Sequence, residues 1–138
     1  MTGLLIGMLF VAVLGIGHHY GLMGVRALKP DGERRPQTAI LVTFMGLLAL
    51  HTLEIVAFAA VYRGMIAYGG LGGFADADVS WSSLIYFSGI NLATLGHTDM
   101  SAHGAVRMVN MMQSLGGFMV LTWSATFLYS VSERAWRT

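Results

Sequence analysis

The chain has 138 residues, of which 55% are hydrophobic and 11% are charged, with a formal net charge of +1 at pH 7. An ordinary soluble domain carries about 25% charged residues, so the composition favours a membrane protein over a soluble one. The sequence contains no cysteine, which excludes disulfides and thiolate metal sites. The length predicts one membrane domain, residues 1–138.

Three apolar segments are long enough to cross a bilayer, residues 2–25, 38–62 and 105–131. A hydrocarbon core of about 30 Å needs about 20 helical residues, so each segment is predicted to span it as a helix. The predicted elements are an N-terminal span at 1–28, an outer helix at 37–66 and an inner helix at 104–132. A cleaved signal peptide is an alternative for residues 1–25, but the basic n-region and the A-x-A cleavage site are both missing.

A fourth apolar segment, residues 81–95, is too short to cross a membrane. It is predicted to form a re-entrant helix followed by a strand, within an element at 79–99, since such a segment needs protein or a water-filled pore around it. The glycine-rich residues 69–73 before it predict a flexible outer turn. Asp76 and Asp78 then act either as helix caps or as an acidic ring that concentrates cations.

The basic residues predict the orientation of the spans. Membrane proteins carry an excess of lysine and arginine in their cytoplasmic connections. Six basic residues lie in the first connection and at the C-terminus, and two lie on the other side: Arg26, Lys29, Arg34, Arg35, Arg134 and Arg137 against Arg63 and Arg107. The predicted topology is therefore multi-pass in the cell inner membrane, with the N-terminus outside and the C-terminus in the cytoplasm.

The short apolar segment ends in a hexad that is similar to the T-V-G-Y-G-D selectivity filter of potassium channels. Its residues are Thr94, Leu95, Gly96, His97, Thr98 and Asp99, and the departures from that pattern are His97 and Thr98. Residues 51–55 (HTLEI), 86–88 (YFS), Gly117 and the pair Trp123 and Ser124 extend the resemblance to small bacterial channels of the two-span pore-domain superfamily over roughly residues 50–131.

The resemblance implies an all-α membrane protein with a pore helix and filter loop, assembled as a homotetramer among membrane lipids. The permeant ion would be K+, with non-selective conduction of monovalent cations such as Na+ as the alternative. The protein is then not an enzyme, binds no nucleic acid and needs no cofactor or metal beyond the permeant ion.

A filter must replace the water of a cation with a ring of backbone carbonyl oxygens. This requires alternating left- and right-handed backbone, and Gly96 can take the left-handed conformation without steric penalty. Thr94 would add a ring of hydroxyls at the inner end. Thr98 occupies a second glycine position, which predicts either a different outer backbone path or strain of about 1–3 kcal/mol per subunit.

The two other outer positions of the hexad each allow two interpretations. His97 either forms a titratable ring that repels cations when protonated, or lies behind the filter as a neutral hydrogen-bonded side chain. Asp99 forms either an outer acidic ring or a hydrogen-bond acceptor behind the filter. In the second case Tyr86 is the expected donor and supports the filter.

Polar residues within the spans are candidate functional groups. His51 and Glu54 share one helix face and form either a proton-sensitive pair or an anchor for a neighbouring donor. A different class, a membrane redox or metal-binding subunit, would combine this pair with His18 and His19. Depth argues against that site, since His18 would lie about 12 Å and His51 about 20 Å from the cytoplasmic end.

Two adjacent glycines, Gly116 and Gly117, lie in the middle of the third span. Small residues allow close packing between helices in a membrane. The alternative, which the channel resemblance implies, is a gating hinge at which the inner helix bends.

Overall fold

The computed structural model describes residues 1–75, 79–96, 98 and 100–137, and three long helices account for most of this part of the chain. They are α1 (Thr2–Leu28), α2 (Pro36–Tyr68) and α4 (Ala105–Trp136). All three are long and apolar enough to cross a membrane, as the sequence predicts. Large apolar side chains such as Leu5, Leu9 and Ile16 are each 62% exposed, which suits contact with lipid or with other subunits.

Local sequence explains where the helices begin and end. Pro36 occupies the first turn of α2, where its missing N–H leaves no donor unpaired. Gly69 ends α2 with a φ of +71°. The short helix α3 (Trp81–Leu92) is capped by Ser80, whose hydroxyl accepts a hydrogen bond from the backbone N–H of Ser83 at 3.3 Å.

Helix α1 packs in parallel along α4 through small residues. A methyl group at Gly3 would lie 2.8 Å from Ala105 Cα, and one at Gly7 would lie 2.7 Å from Met112 Cγ. Further along, Gly116 of α4 meets Val11 of α1 in the same way. These contacts bring the two helices close together, as small residues do in membrane helix pairs.

Helix α2 runs antiparallel to α1. A methyl group at Gly46 would lie 2.9 Å from Val25 Cγ2, and one at Gly21 would overlap the side chain of Leu50. Residues later in α1 therefore meet residues earlier in α2. Helix α1 thus contacts both α2 and α4 along its length.

Helix α3 packs against α2 and α4 through the apolar core. Phe87 lies edge-on to Tyr62, with ring centroids 5.2 Å apart, and to Phe74, at 4.7 Å. Arg63 of α2 adds a hydrogen bond to the segment that precedes α3, because its Nη1 donates to the carbonyl of Val79 at 2.8 Å. Twelve residues of helix are about 18 Å long, which is too short to cross a bilayer.

Two short strands, β1 (Gly73–Ala75) and β2 (Ser101–His103), pair antiparallel and flank the segment that contains α3 and the hexad. The register places Gly73 opposite His103. Gly72 and Gly104 have φ values of +94° and +66°, and a methyl group on either would press on the backbone of the other strand's end. The predicted flexible turn at 69–73 is therefore wrong at its end, where Gly73 starts a paired strand.

Candidate functional site

The hexad begins directly at the C-terminal end of α3. The backbone N–H of Thr94 donates to the carbonyl of Asn91 at 3.0 Å, and that of Leu95 donates to Ile90 at 2.9 Å. Gly96 has a φ of +72°, which confirms its predicted left-handed conformation. Thr94 also has a positive φ, +61°, while Leu95 between them does not.

The positive φ at Thr94 was not anticipated from the sequence. A β-branched residue in this region is an outlier that costs on the order of 1–3 kcal/mol. Such strain persists only where the surroundings hold the backbone in place, and it is common at functional sites. Here the two hydrogen bonds from the end of α3 fix the peptides on either side of Thr94.

The outer half of the hexad is described only at Thr98. Its Oγ1 accepts a hydrogen bond from the backbone N–H of Met100 at 3.2 Å. His97 and Asp99 lie outside the described residues, as do Asp76 and Asp78, so the roles of these four side chains stay predictions. Tyr86, the expected donor to Asp99, is 60% exposed on α3.

A buried hydrogen-bond network ties α3 to both neighbouring helices. Gln113 Nε2 donates to the carbonyl and the hydroxyl of Ser88, at 3.1 and 2.9 Å. Ser88 Oγ donates to the carbonyl of Ile55 at 2.7 Å, and the Tyr62 hydroxyl donates to Gln113 Oε1. Tyr62, Ser88 and Gln113 are fully buried, so this network fixes the depth of α3 against α2 and α4.

This network was not predicted from the sequence, although one residue indicates it. Gln113 is an amide in the middle of an apolar span, where a polar side chain is expensive unless it is hydrogen-bonded. Its partners are 25 and 51 residues distant along the chain, at Ser88 and Tyr62. Spacing within one helix therefore could not have identified them.

Gly116 and Gly117 are both contact points of α4. A methyl group at Gly117 would overlap the carbonyl oxygen of Leu92 at the end of α3 and lie 2.8 Å from its carbonyl carbon. One at Gly116 would lie 2.9 Å from Val11 Cγ1 of α1. These contacts support the close-packing interpretation, and the hinge role stays a prediction.

A second polar cluster joins all three long helices. Glu54 of α2 lies between two histidines, with Oε1 2.6 Å from His18 Nδ1 and Oε2 2.7 Å from His51 Nδ1. On the other side of the first ring, His18 Nε2 lies 3.1 Å from Ser124 Oγ of α4. His18 is fully buried and Glu54 is 6% exposed.

The separate depths predicted for His18 and His51 are therefore wrong. Those depths assume that the cytoplasmic ends of α1 and α2 lie at one level, but Val25 packs against Gly46. Pro36 consequently lies about 15 Å beyond Val25, while α1 ends only about 5 Å beyond it. The offset brings His18 level with His51 and Glu54.

His19 does not join the cluster. Its side chain is exposed, and its ring stacks on Trp123 with centroids 6.0 Å apart. The ring of His18 instead stacks on His51, at 5.4 Å. Because neighbouring residues on a helix point about 100° apart, His19 points away from the cluster that His18 joins. Of the four residues considered for a metal site, His18, His51 and Glu54 therefore come together and His19 does not.

Comparison with known proteins identifies the protein family to which the chain is similar. A family model described as "Ion channel" matches residues 48–134, which include α3, the hexad and the glycine pair. An uncharacterized membrane protein of Bacillus subtilis (strain 168), YdjJ, is 40% identical over 53 residues. That match covers 38% of this chain and 16% of the relative, so the chain spans a small part of the relative's length. No solved structure matches the chain.

Proposed function

The chain belongs to the ion-channel family, and on that premise we propose that it forms a homotetrameric channel that conducts potassium. Each chain contributes one short helix and one hexad, which cannot enclose an axis alone. Four copies would place four hexads around a central pore, with α3 as the re-entrant pore helix and α4 as the inner helix.

The observation that carries the proposal is the backbone of residues 94–96. Positive φ at Thr94 and Gly96, with Leu95 between them outside that region, is the alternation needed to turn successive carbonyl oxygens to one side. Four such rows of oxygens around an axis would replace the hydration shell of a cation. The strained conformation at Thr94 supports a functional requirement, because an ordinary loop would relax it.

The helix dipole of α3 also supports the proposed cation pore. Its C-terminal end leads directly into the hexad, so the partial negative charge of that end lies beside Thr94. In a tetramer, four such ends would stabilise a cation near the inner end of the filter. The buried network of Tyr62, Gln113 and Ser88 would hold each helix at the required depth.

The distribution of basic residues supports the proposed topology. Since α1 and α4 are parallel, their C-terminal ends meet and line a cavity of about 550 Å³ with the connection to α2. Such a basic end is expected in the cytoplasm, which leaves the hexad facing outside. The charged residues of the cavity are Arg26, Lys29, Arg134, Arg137, Asp31 and Glu33.

Non-selective conduction of monovalent cations is the second candidate, and the departures of the hexad favour it. His97 and Thr98 replace an aromatic residue and a glycine of the potassium-channel pattern. Fewer intact carbonyl sites in series would weaken the discrimination between K+ and Na+. The inner sites formed by Thr94, Leu95 and Gly96 are common to both candidates.

Two experiments test the proposed pore: counting the chains in each particle, and introducing a cysteine at position 94. Native mass spectrometry in mild detergent should give four chains per particle. Because the chain has no cysteine, Thr94→Cys would create the protein's first thiols, and Ag+ should then block cation flux in liposomes. Leu9→Cys, on the exposed face of α1, is the matched control and should stay unblocked. A monomer, or equal block of both variants, would contradict a pore lined by Thr94.

A further inference from the structure

We propose that His18, His51 and Glu54 form a binding site for a divalent transition-metal ion of the Zn²⁺ class, buried between α1, α2 and α4. This proposal goes beyond the filter and does not depend on conduction. It also revises the expectation that the protein binds no metal other than its permeant ion.

The donor atoms already converge. One nitrogen from each histidine and one carboxylate oxygen of Glu54 all lie within 4.8 Å of one another. Zinc binds histidine nitrogen at about 2.0–2.1 Å and carboxylate oxygen at about 2.0–2.2 Å, so donors in a tetrahedral site are about 3.3 Å apart. The contacts of 2.6 Å to Oε1 and 2.7 Å to Oε2 would widen by less than about 1 Å, and donor pairs up to 4.8 Å apart would close by about 1.5 Å.

Two imidazoles and one carboxylate are a ligand set that zinc uses when its fourth position is open. Imidazole nitrogen suits Zn²⁺ and its neighbours among the transition metals, whereas Mg²⁺ and Ca²⁺ prefer oxygen. The ligand chemistry therefore selects the transition-metal class over the alkaline-earth ions.

The charge of the cluster favours a cation. With both histidines neutral, the three side chains carry one negative charge from Glu54, at a depth where unpaired charge is expensive. His18 is fully buried and the Glu54 side chain is 7% exposed, so water screens this charge poorly. A divalent ion would bind the carboxylate directly and replace the two histidine contacts.

The protonation pattern of the rings is compatible with metal binding. A neutral ring that donates Nδ1–H to the Glu54 carboxylate keeps Nε2 as an acceptor, so His18 Nε2 would accept from the Ser124 hydroxyl, 3.1 Å away. Coordination through Nδ1 moves each ring's proton to Nε2. The Ser124 hydroxyl can then accept from His18 Nε2–H, as outer partners of metal-bound histidines do.

Two clefts border the cluster. One cleft of about 320 Å³ between α1 and α2 is lined by His18 and Glu54. Another of about 240 Å³ between α2 and α4 is lined by His51 and Ser124. His51 is the most exposed of the three side chains, at 16%, so a fourth ligand such as water would enter from its side.

Titration of the purified, EDTA-treated tetramer with Zn²⁺, and with Co²⁺ as an optical probe, tests the proposal. We expect one site per chain, with visible absorption bands typical of four-coordinate Co²⁺ bound by nitrogen and oxygen. Glu54→Gln and His18→Gln should each weaken Zn²⁺ binding by about 100-fold or more, since even loss of an outer partner costs 10–100-fold.

His19→Gln and His103→Gln are the matched controls, because both residues are exposed and lie outside the cluster. Each should bind Zn²⁺ like the natural protein. Ser124→Ala should weaken binding about 10-fold while Ser124→Thr restores it, which separates a positioning role for this hydroxyl from general loss of packing.

Three results would overturn the proposal. They are the absence of Zn²⁺ binding by the natural tetramer, unchanged affinity in both Glu54→Gln and His18→Gln, and one ion per four chains that is lost in His97→Asn. Circular dichroism and native mass spectrometry check that each variant folds and assembles. Should both cluster variants fail to fold, the Co²⁺ spectrum of the natural protein decides, since the absence of four-coordinate bands contradicts the site.

Discussion

Replacing Gly117 with alanine tests how closely α3 rests on α4. The added methyl group would overlap the carbonyl oxygen of Leu92 and lie 2.9 Å from its Cα, so the backbone at the end of α3 must move. Overpacking of this kind costs about 1–3 kcal/mol. Alanine recovers up to about 1 kcal/mol of helix propensity, so we expect a net loss of up to about 2 kcal/mol per chain.

Two other glycines provide controls for this measurement. A methyl group at Gly64 of α2 would meet no atom within 4 Å in the part of the chain that the structure describes, so Gly64→Ala should stabilise the protein by up to about 1 kcal/mol. The three atoms nearest to a methyl group at Gly116 belong to the side chains of Val11 and Leu14, which can adjust, so Gly116→Ala should fall between the other two variants.

The assay is the free energy of unfolding in mixed detergent micelles, followed by circular dichroism, with open probability measured in parallel. If Gly117→Ala is as stable as Gly64→Ala, the close contact with Leu92 is refuted. If Gly117→Ala matches Gly64→Ala in stability and its open probability falls, Gly117 acts as a hinge and the packing interpretation is wrong.

Three further predictions concern the helix network and the filter. Tyr62→Phe should lower the unfolding free energy by about 1–3 kcal/mol, because it leaves the buried Gln113 Oε1 without its donor; an unchanged value would contradict the network. Thr98→Gly combined with His97→Tyr should raise K+ over Na+ selectivity, and unchanged reversal potentials would count against strain at Thr98. Current should fall as external pH drops through about 6.5, the reference value for histidine, because protonated His97 rings would repel cations; His97→Asn should abolish this response and His103→Asn should retain it.

The long helices and α3 could be predicted from the sequence because hydropathy and length are local properties. The helix predicted at 37–66 is observed as Pro36–Tyr68, and the one predicted at 104–132 as Ala105–Trp136. The conformation of Gly96 was also predictable, since glycine takes positive φ without penalty.

Contacts between elements could not be predicted in the same way. The axial offset of α1 against α2 depends on how Val25 fits against Gly46, and that offset alone brings His18 to Glu54. The strand pair beside the hexad likewise depends on the close approach of Gly72 and Gly104, which the sequence shows only as scattered glycines.

Ion flux into liposomes tests whether the protein conducts potassium. The purified protein is reconstituted, and uptake of K+ and of Na+ is measured under equal gradients, with protein-free liposomes as the control. We expect K+ flux well above the control and above Na+ flux. Equal K+ and Na+ flux would contradict potassium selectivity and support the non-selective alternative, and the absence of flux of either ion would contradict a cation channel.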